Sequence, residues 1–178
     1  MPQVRFIPDA EFAPAPIGSR VRFATLLSVV AMVAVTVAVP VLMQRERHPP
    51  PWPVYLAVGI APAVLAVIWF AGRVRRYRLV GTELRIELGW RTVRFSLEGL
   101  QSATPDREAL RWALKIQGNS GLGVIAGRFR SKRLGAFRAY LTDPEHAVVL
   151  RWPDRCVVIS PDQYSWFIET VRKRAGLS

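Results

Sequence analysis

Two long runs without charge dominate the first 72 residues and constrain this chain more than any other feature. Residues 23–43 are 21 consecutive positions without Asp, Glu, Lys, Arg or His, and residues 54–72 are 19 more. A helix rises about 1.5 Å per residue, so each run could cross the roughly 30 Å hydrocarbon core of a bilayer. The pattern predicts two transmembrane spans, 23–43 and 54–72, that form a hairpin.

A cleaved signal peptide is the alternative interpretation of the first run. Such a peptide has a basic start, a shorter apolar core and small residues at its cleavage site. Here Asp9 and Glu11 precede the run, and residues 41–44 read Val-Leu-Met-Gln. Both runs are therefore expected to be permanent.

Positive charge predicts the orientation of this hairpin. The turn between the runs carries Arg45 and Arg47 beside Glu46, whereas more arginines flank the outer ends. These flanking residues are Arg5, Arg20, Arg22, Arg73, Arg75, Arg76 and Arg78. Because cations favour the cytoplasmic side, both termini are expected there, in a multi-pass protein of the inner (plasma) membrane.

Three segments follow from this pattern: an irregular arm at 1–22, the hairpin at 23–72 and a soluble domain at 73–178. The whole chain has a formal net charge of +12. From residue 73 onward, 20 Lys and Arg face 10 Asp and Glu, so most of the excess lies in the domain. Its partners are expected to be anionic, and anionic lipid headgroups are the nearest candidates.

The domain is predicted to consist of short strands. Leu84, Ile86 and Leu88 alternate with charged residues, which is the period of a half-buried strand. Further strands are predicted at 77–80, 91–95, 97–103, 136–142, 146–152 and 155–159. Residues 107–117 are ambiguous between a strand and a helical turn.

The last element is predicted to be an amphipathic helix. Ser160 can cap it, Pro161 suits its first turn, Gln163 completes a capping box and Gly176 can end it. Its apolar face repeats at i, i+3, i+4 and i+7 and consists of Tyr164, Phe167, Ile168 and Val171. The fold class expected is α+β: a transmembrane hairpin, then about seven antiparallel strands in a bent sheet or open barrel, closed by this helix.

Residues 118–135 are the candidate binding segment. Glycines there permit backbone conformations that expose amide groups to an anion. Between Glu108 and Asp143 there are seven basic residues and no acidic one. The candidate anion- or partner-binding residues are Gly118, Gly121, Gly123, Gly127, Arg128, Arg130, Lys132, Arg133 and Arg138. The alternative is a flexible loop whose cations are solvated.

The same segment resembles the bacterial pleckstrin-homology (PH) domain family. The resemblance is carried by GNSGLGVIAGRFRSKRLGAFRAYLTD at 118–143 and by the runs at 148–150 and 157–162, and it covers about 74–175. The closest subgroup is membrane-anchored, with two N-terminal transmembrane helices. The resemblance implies two near-orthogonal sheets with a C-terminal helix across one opening, and no catalytic residues. The loop that binds phosphoinositide in the best-known relatives would here be Gly81-Thr82, too short for such a pocket.

No pattern in the sequence indicates catalysis, a cofactor or a metal site. The glycine spacing does not match a dinucleotide fingerprint, and Ser120 lacks the Gly-x-Ser-x-Gly frame. His48 and His146 fall on opposite sides of the predicted membrane, and Cys156 is interpreted as a core residue. The tryptophans show no stacking platform with interleaved cations, which argues against nucleic acid.

The leading functional hypothesis is a non-catalytic, membrane-anchored adaptor on the cytoplasmic face. It would contact anionic lipid headgroups or a protein partner through residues 118–135. The alternative is a structural or assembly role, by homo-oligomerisation or by docking to another membrane protein, in which the basic segment is incidental.

Overall fold

The computed structural model describes residues 9–45, 52, 56, 59–60, 63–64, 67, 70, 72–121 and 124–177. Within these residues the chain forms ten β-strands and two continuous α-helices, and the described residues from 52 to 72 are also helical. The elements are β1 (Ala10–Phe12), α1 (Ser19–Arg45), β2 (Val74–Val80), β3 (Glu83–Leu88), β4 (Thr92–Ser96), β5 (Ser102–Pro105), β6 (Leu114–Gly121), β7 (Val124–Ser131), β8 (Gly135–Leu141), β9 (Val148–Arg151), β10 (Cys156–Ile159) and α2 (Tyr164–Ala175).

The strands form two sheets. The first has the order β1-β2-β3-β4, and the second has the order β5-β9-β10-β8-β7-β6. All pairs are antiparallel except β8 with β10, which run in the same direction because β9 reverses the chain between them. The prediction of purely antiparallel strands is therefore wrong at this pair.

Apolar side chains are buried on both faces of the second sheet. A first core lies against the first sheet and α2, and includes Tyr77, Leu79, Leu150 and Phe167. A second core includes Ala109, Phe129, Phe137, Leu141 and Cys156. The ambiguous residues 107–117 are a turn that contributes Ala109 to this second core, followed by β6.

Helix α2 confirms the predicted apolar face but not the predicted cap. Phe167, Ile168 and Val171 are buried, and Gly176 ends the helix in the left-handed conformation with φ 70°. The N-terminal cap is Gln163, which makes no side-chain hydrogen bond. The hydroxyl of Ser160 instead accepts hydrogen bonds from two backbone amides of residues 142 and 143. The buried hydroxyl thus joins β8 to β10, and the predicted capping box is wrong.

The N-terminal arm contributes a strand to the first sheet. Residues of β1 pair with β2, with Phe12 opposite Tyr77. The Phe12 ring is buried, with centroids 4.6 Å from Trp166 and 5.0 Å from Phe167. The Ala15 amide also donates to a backbone carbonyl that follows β10, at 2.8 Å. Residues before α1 are therefore part of the domain's packing.

Among the described residues, no helix combines the length and apolarity that crossing a membrane requires. On this finding, the predictions of a two-helix transmembrane hairpin and of a multi-pass inner-membrane protein with cytoplasmic termini are wrong. The prediction rested on the absence of charge in the two runs, and most of the second run lies outside the described residues. Residues 46–51 of the turn between the two runs also lie outside the described residues.

The hydroxyl of Tyr77 ties the two sheets together inside the first core. It donates to the Tyr140 carbonyl at 2.7 Å and accepts from the Ser160 amide at 3.2 Å. Burial raises the pKa of Tyr77 to about 12 from its ordinary value of 10.0. The neutral phenol is therefore the form that the fold stabilises.

We expect the free energy of unfolding to fall as pH rises from 10 to 12, because the unfolded chain loses the Tyr77 proton first. Tyr77→Phe should lower stability by about 1–3 kcal/mol at pH 9, since two buried partners lose their bond. The difference in free energy of unfolding between the wild type and the variant should be smaller at pH 11 than at pH 9. Urea denaturation at both pH values measures this, and an unchanged gap would contradict the assignment.

Candidate functional site

Strands β6, β7 and β8 place the basic side chains in register at one edge of the second sheet. Arg128 lies opposite Arg138 on β8 and opposite Gln117 on β6. One row outward, Arg130 lies opposite Leu114. Directly opposed residues present their side chains on the same face, so these rows form one surface.

This surface is the outward continuation of the first core. On the same face of β7 and β8, one row inward from Arg128 and Arg138, Ala126 lies opposite Tyr140, and both are buried. Arg128, Arg130 and Arg138 are exposed, and we call these three residues the arginine face. The reverse face carries Phe129 of the second core, which fixes the direction of the arginines.

Two like charges stand directly opposite each other at Arg128 and Arg138. Such a cross-strand pair is destabilising by itself. Among the described residues, no carboxylate lies at ion-pairing distance from any residue of the arginine face. The uncompensated positive charge is therefore concentrated on one surface.

The first sheet shows the contrasting arrangement. There Arg76 lies 3.0 Å from Glu87, and Arg78 lies 3.1 Å from Glu11. The hydrogen bond from Arg78 holds the pKa of the Glu11 carboxyl below its ordinary value. Arg76, Arg78 and Arg85 of the first sheet are thus matched by glutamates, whereas the arginine face has no such partner among the described residues.

Gly118 and Gly127 of the predicted loop are strand residues. Gly118 lies opposite Gly127 with φ values of 124° and 154°. A Cβ at Gly127 would lie 2.2 Å from the Gln117 carbonyl oxygen, and one at Gly118 would lie 2.3 Å from the Ala126 carbonyl oxygen. These positions therefore require glycine for close approach of two backbones, and not for loop flexibility.

An open cavity of about 590 Å³ lies between the arginine face and the end of the first sheet. We call it the arginine cleft, because Arg91 joins Arg128 and Arg138 around it. Its other lining residues are Val67, Gly72, Leu88, Trp90, Val93, Gln117, Gly118, Ala126, Gly127 and Tyr140. Apolar side chains and three guanidinium groups therefore border one space, with no acidic residue among those that line it.

A second, wider depression of about 1010 Å³ adjoins the arginine face at Arg130. Lys132 and Arg133 line it, together with Arg111, Trp112 and Leu114 on the other side. Arg133 is ion-paired with Asp106, and this bond raises the pKa of the guanidinium group. Arg133 therefore has a structural partner within the domain.

Comparison with known proteins agrees with this architecture. A family model described as Bacterial PH domain matches residues 75–175. The chain belongs to the bacterial PH domain family. No curated protein and no solved structure matches it. PH domains are generally non-catalytic modules that bind lipids or proteins. The match confirms the resemblance to the family and gives no support for the membrane-anchored subgroup.

The PH domain brings together only part of the predicted set. Gly118, Gly127, Arg128 and Arg138 line the arginine cleft, and Arg130, Lys132 and Arg133 line the second depression. Gly121 ends β6, away from both, and Gly123 lies outside the described residues. Sequence reasoning missed Trp90, Arg91 and Trp112, because only the fold brings them to residues 118–138.

The described part of this PH domain contains neither a group of metal ligands nor a reactive thiol. No group of three or more His, Cys, Asp or Glu residues there could hold a metal ion. Cys156 lies in the second core, as predicted, and burial raises the pKa of its thiol. The thiol is held in its unreactive protonated form.

Proposed function

We propose that this PH domain is a non-catalytic binding module that takes anionic lipid headgroups on its arginine face. The observation that carries the proposal is the opposed pair Arg128 and Arg138, which has no carboxylate at ion-pairing distance among the described residues. An anion between the two guanidinium groups would replace repulsion with two attractive contacts. Guanidinium groups suit this role because their planar donors match phosphate and carboxylate oxygens.

The arrangement of charge favours a surface over a small enclosed ligand. Arg128 and Arg138 form one row, Arg130 stands in the next row, and all three are exposed. Each cation near an anionic bilayer adds about 1 kcal/mol of attraction. Three cations on one face therefore act together on a flat array of headgroups.

The test is co-sedimentation of the full chain with phosphatidylcholine vesicles that contain or lack phosphatidylglycerol. Arg128→Gln combined with Arg138→Gln should weaken binding to the anionic vesicles about tenfold or more, since two contributions of about 1 kcal/mol are removed. Raising the salt concentration should also weaken the binding of the wild-type protein to anionic vesicles.

Arg94→Gln with Arg107→Gln is the matched control, because it removes two exposed charges outside the arginine cleft and the second depression. This control should retain most of the binding. Equal binding to both vesicle types, or equal losses in the two double variants, would refute the proposal. If inorganic phosphate at millimolar concentration and constant ionic strength abolishes vesicle binding, a single phosphate ion fills the site, contrary to binding of an extended surface.

A further inference from the structure

Three large apolar side chains project into solvent beside the arginine face. Trp112 is 86% exposed, Leu114 is 75% exposed and Ile116 is 61% exposed. Trp112 lies in the turn before β6, Leu114 and Ile116 lie at the start of β6, and we call these three side chains the apolar ridge. Helix α1 contacts β6 but leaves these side chains uncovered.

The backbone shapes this ridge in two ways. Trp112 has φ 57°, a left-handed conformation that residues other than glycine rarely adopt. At Ile116 the pairing of β6 with β7 shifts register between Lys115 and Gln117. Such a bulge re-aims side chains at the edge of a sheet. These two features set the direction of Trp112 and Ile116, while Leu114 is exposed in regular pairing with Arg130.

Positive charge surrounds the ridge and limits what can cover it. Leu114 lies opposite Arg130, and Arg111, Lys115 and Lys132 are exposed nearby in the fold or chain. The nearest carboxylate in the second depression, Glu108, is ion-paired with Arg111 at 2.6 Å. A symmetric second copy would bring cations against cations, which opposes pairing of β6 edges between two molecules. An anionic lipid surface offers complementary charge and an apolar interior.

We propose that Trp112, Leu114 and Ile116 insert into the interfacial layer of an anionic bilayer while the arginine face contacts the headgroups. This inference rests on the proposed function and adds the docking orientation. Tryptophan suits the headgroup region because its ring is apolar with one polar edge, and aliphatic side chains reach the acyl boundary. Edge strand β6 would face the bilayer, and α2, which packs against β5 at the opposite edge, would face away.

A polarity-sensitive fluorophore tests the orientation directly. In a full-length Cys156→Ser background, Trp112→Cys and, separately, Ile116→Cys are labelled with a nitrobenzoxadiazole group. Vesicles containing phosphatidylglycerol should shift the emission at both positions to shorter wavelength. The same label at Glu169→Cys, on exposed α2, should not shift. Since the side chains at 112 and 116 are exposed, a second variant, Leu114→Gln with Ile116→Gln, should fold and bind these vesicles about tenfold more weakly.

The outcomes separate this inference from the function on which it rests. Binding to the vesicles without an emission shift at 112 and 116 would refute insertion of the apolar ridge. It would leave the proposed binding role of the arginine face standing. A shift at equal size in Glu169→Cys would also refute insertion. No binding to anionic vesicles would overturn both proposals. A concentration-dependent shift without vesicles would mean that a second copy covers the ridge, contrary to the inference.

Discussion

Replacement of Phe12 by alanine is expected to lower the free energy of unfolding by about 3–5 kcal/mol. The ring is buried between Trp166 and Phe167 of α2, on a strand of only three residues. Its loss leaves a cavity and removes most of the apolar contact that holds β1 to the first sheet. Urea denaturation of the full chain, followed by circular dichroism, measures the change.

Phe23→Ala is the matched control, because Phe23 is the same residue type but is 70% exposed on α1. It should change the free energy of unfolding by less than about 0.5 kcal/mol. Similar losses in the two variants would show that β1 does not stabilise the domain through Phe12.

Gly127→Ala is expected to destabilise the domain by about 3 kcal/mol or more, because the new methyl group meets the Gln117 carbonyl oxygen at 2.2 Å. Backbone cannot rotate away as a flexible side chain can, so β6 must separate from β7. Since Arg128 is the next residue, loss of the arginine face and of vesicle binding should accompany the loss of stability.

Gly135→Ala separates the clash from the backbone conformation. Gly135 has φ 70°, but a Cβ there meets no atom within 4 Å. Gly135→Ala therefore introduces backbone dihedral strain without a clash, and it should lower the free energy of unfolding by about 1 kcal/mol. Equal destabilisation by the two alanines would indicate that strain, and not close backbone approach, explains the glycine at 127.

Local patterns predicted those elements whose stability is local. The alternation of apolar and charged residues predicted β3 and its buried face, since Leu84, Ile86 and Leu88 are all buried. The apolar spacing in α2 was equally informative. The strand predicted at 97–103 was only partly right: Leu97 and Leu100 are buried, but the amide of Leu100 bonds back to Leu97 in a turn, and β5 begins at 102. Apolar residues spaced three apart fit a buried turn as well as a strand.

Tertiary contacts explain the elements that sequence reasoning missed. The segment 118–121 contains Gly and Asn, which are depleted in strands, so a loop was predicted where β6 pairs with β7. The acid-free stretch between Glu108 and Asp143 pointed to Arg128 and Arg138, which lie opposite each other in the fold, and their binding role stays a prediction. This stretch could not indicate that Arg133 would pair with Asp106, or that Arg91 would complete the cleft.

Strand β1 has a cost of assembly that its neighbours do not share. Phe12 and Tyr77 are adjacent in the sheet but 65 positions apart in the chain, whereas β2, β3 and β4 are joined by tight turns. Bringing the two ends of so long a segment together loses chain entropy before any contact forms. A three-residue strand then forms few backbone hydrogen bonds to offset this loss. The order of folding is thereby biased: β2 to β10 and α2 can associate first, and β1 docks last on an existing edge. Whenever β1 opens, it uncovers Phe167 without disturbing any other strand pair.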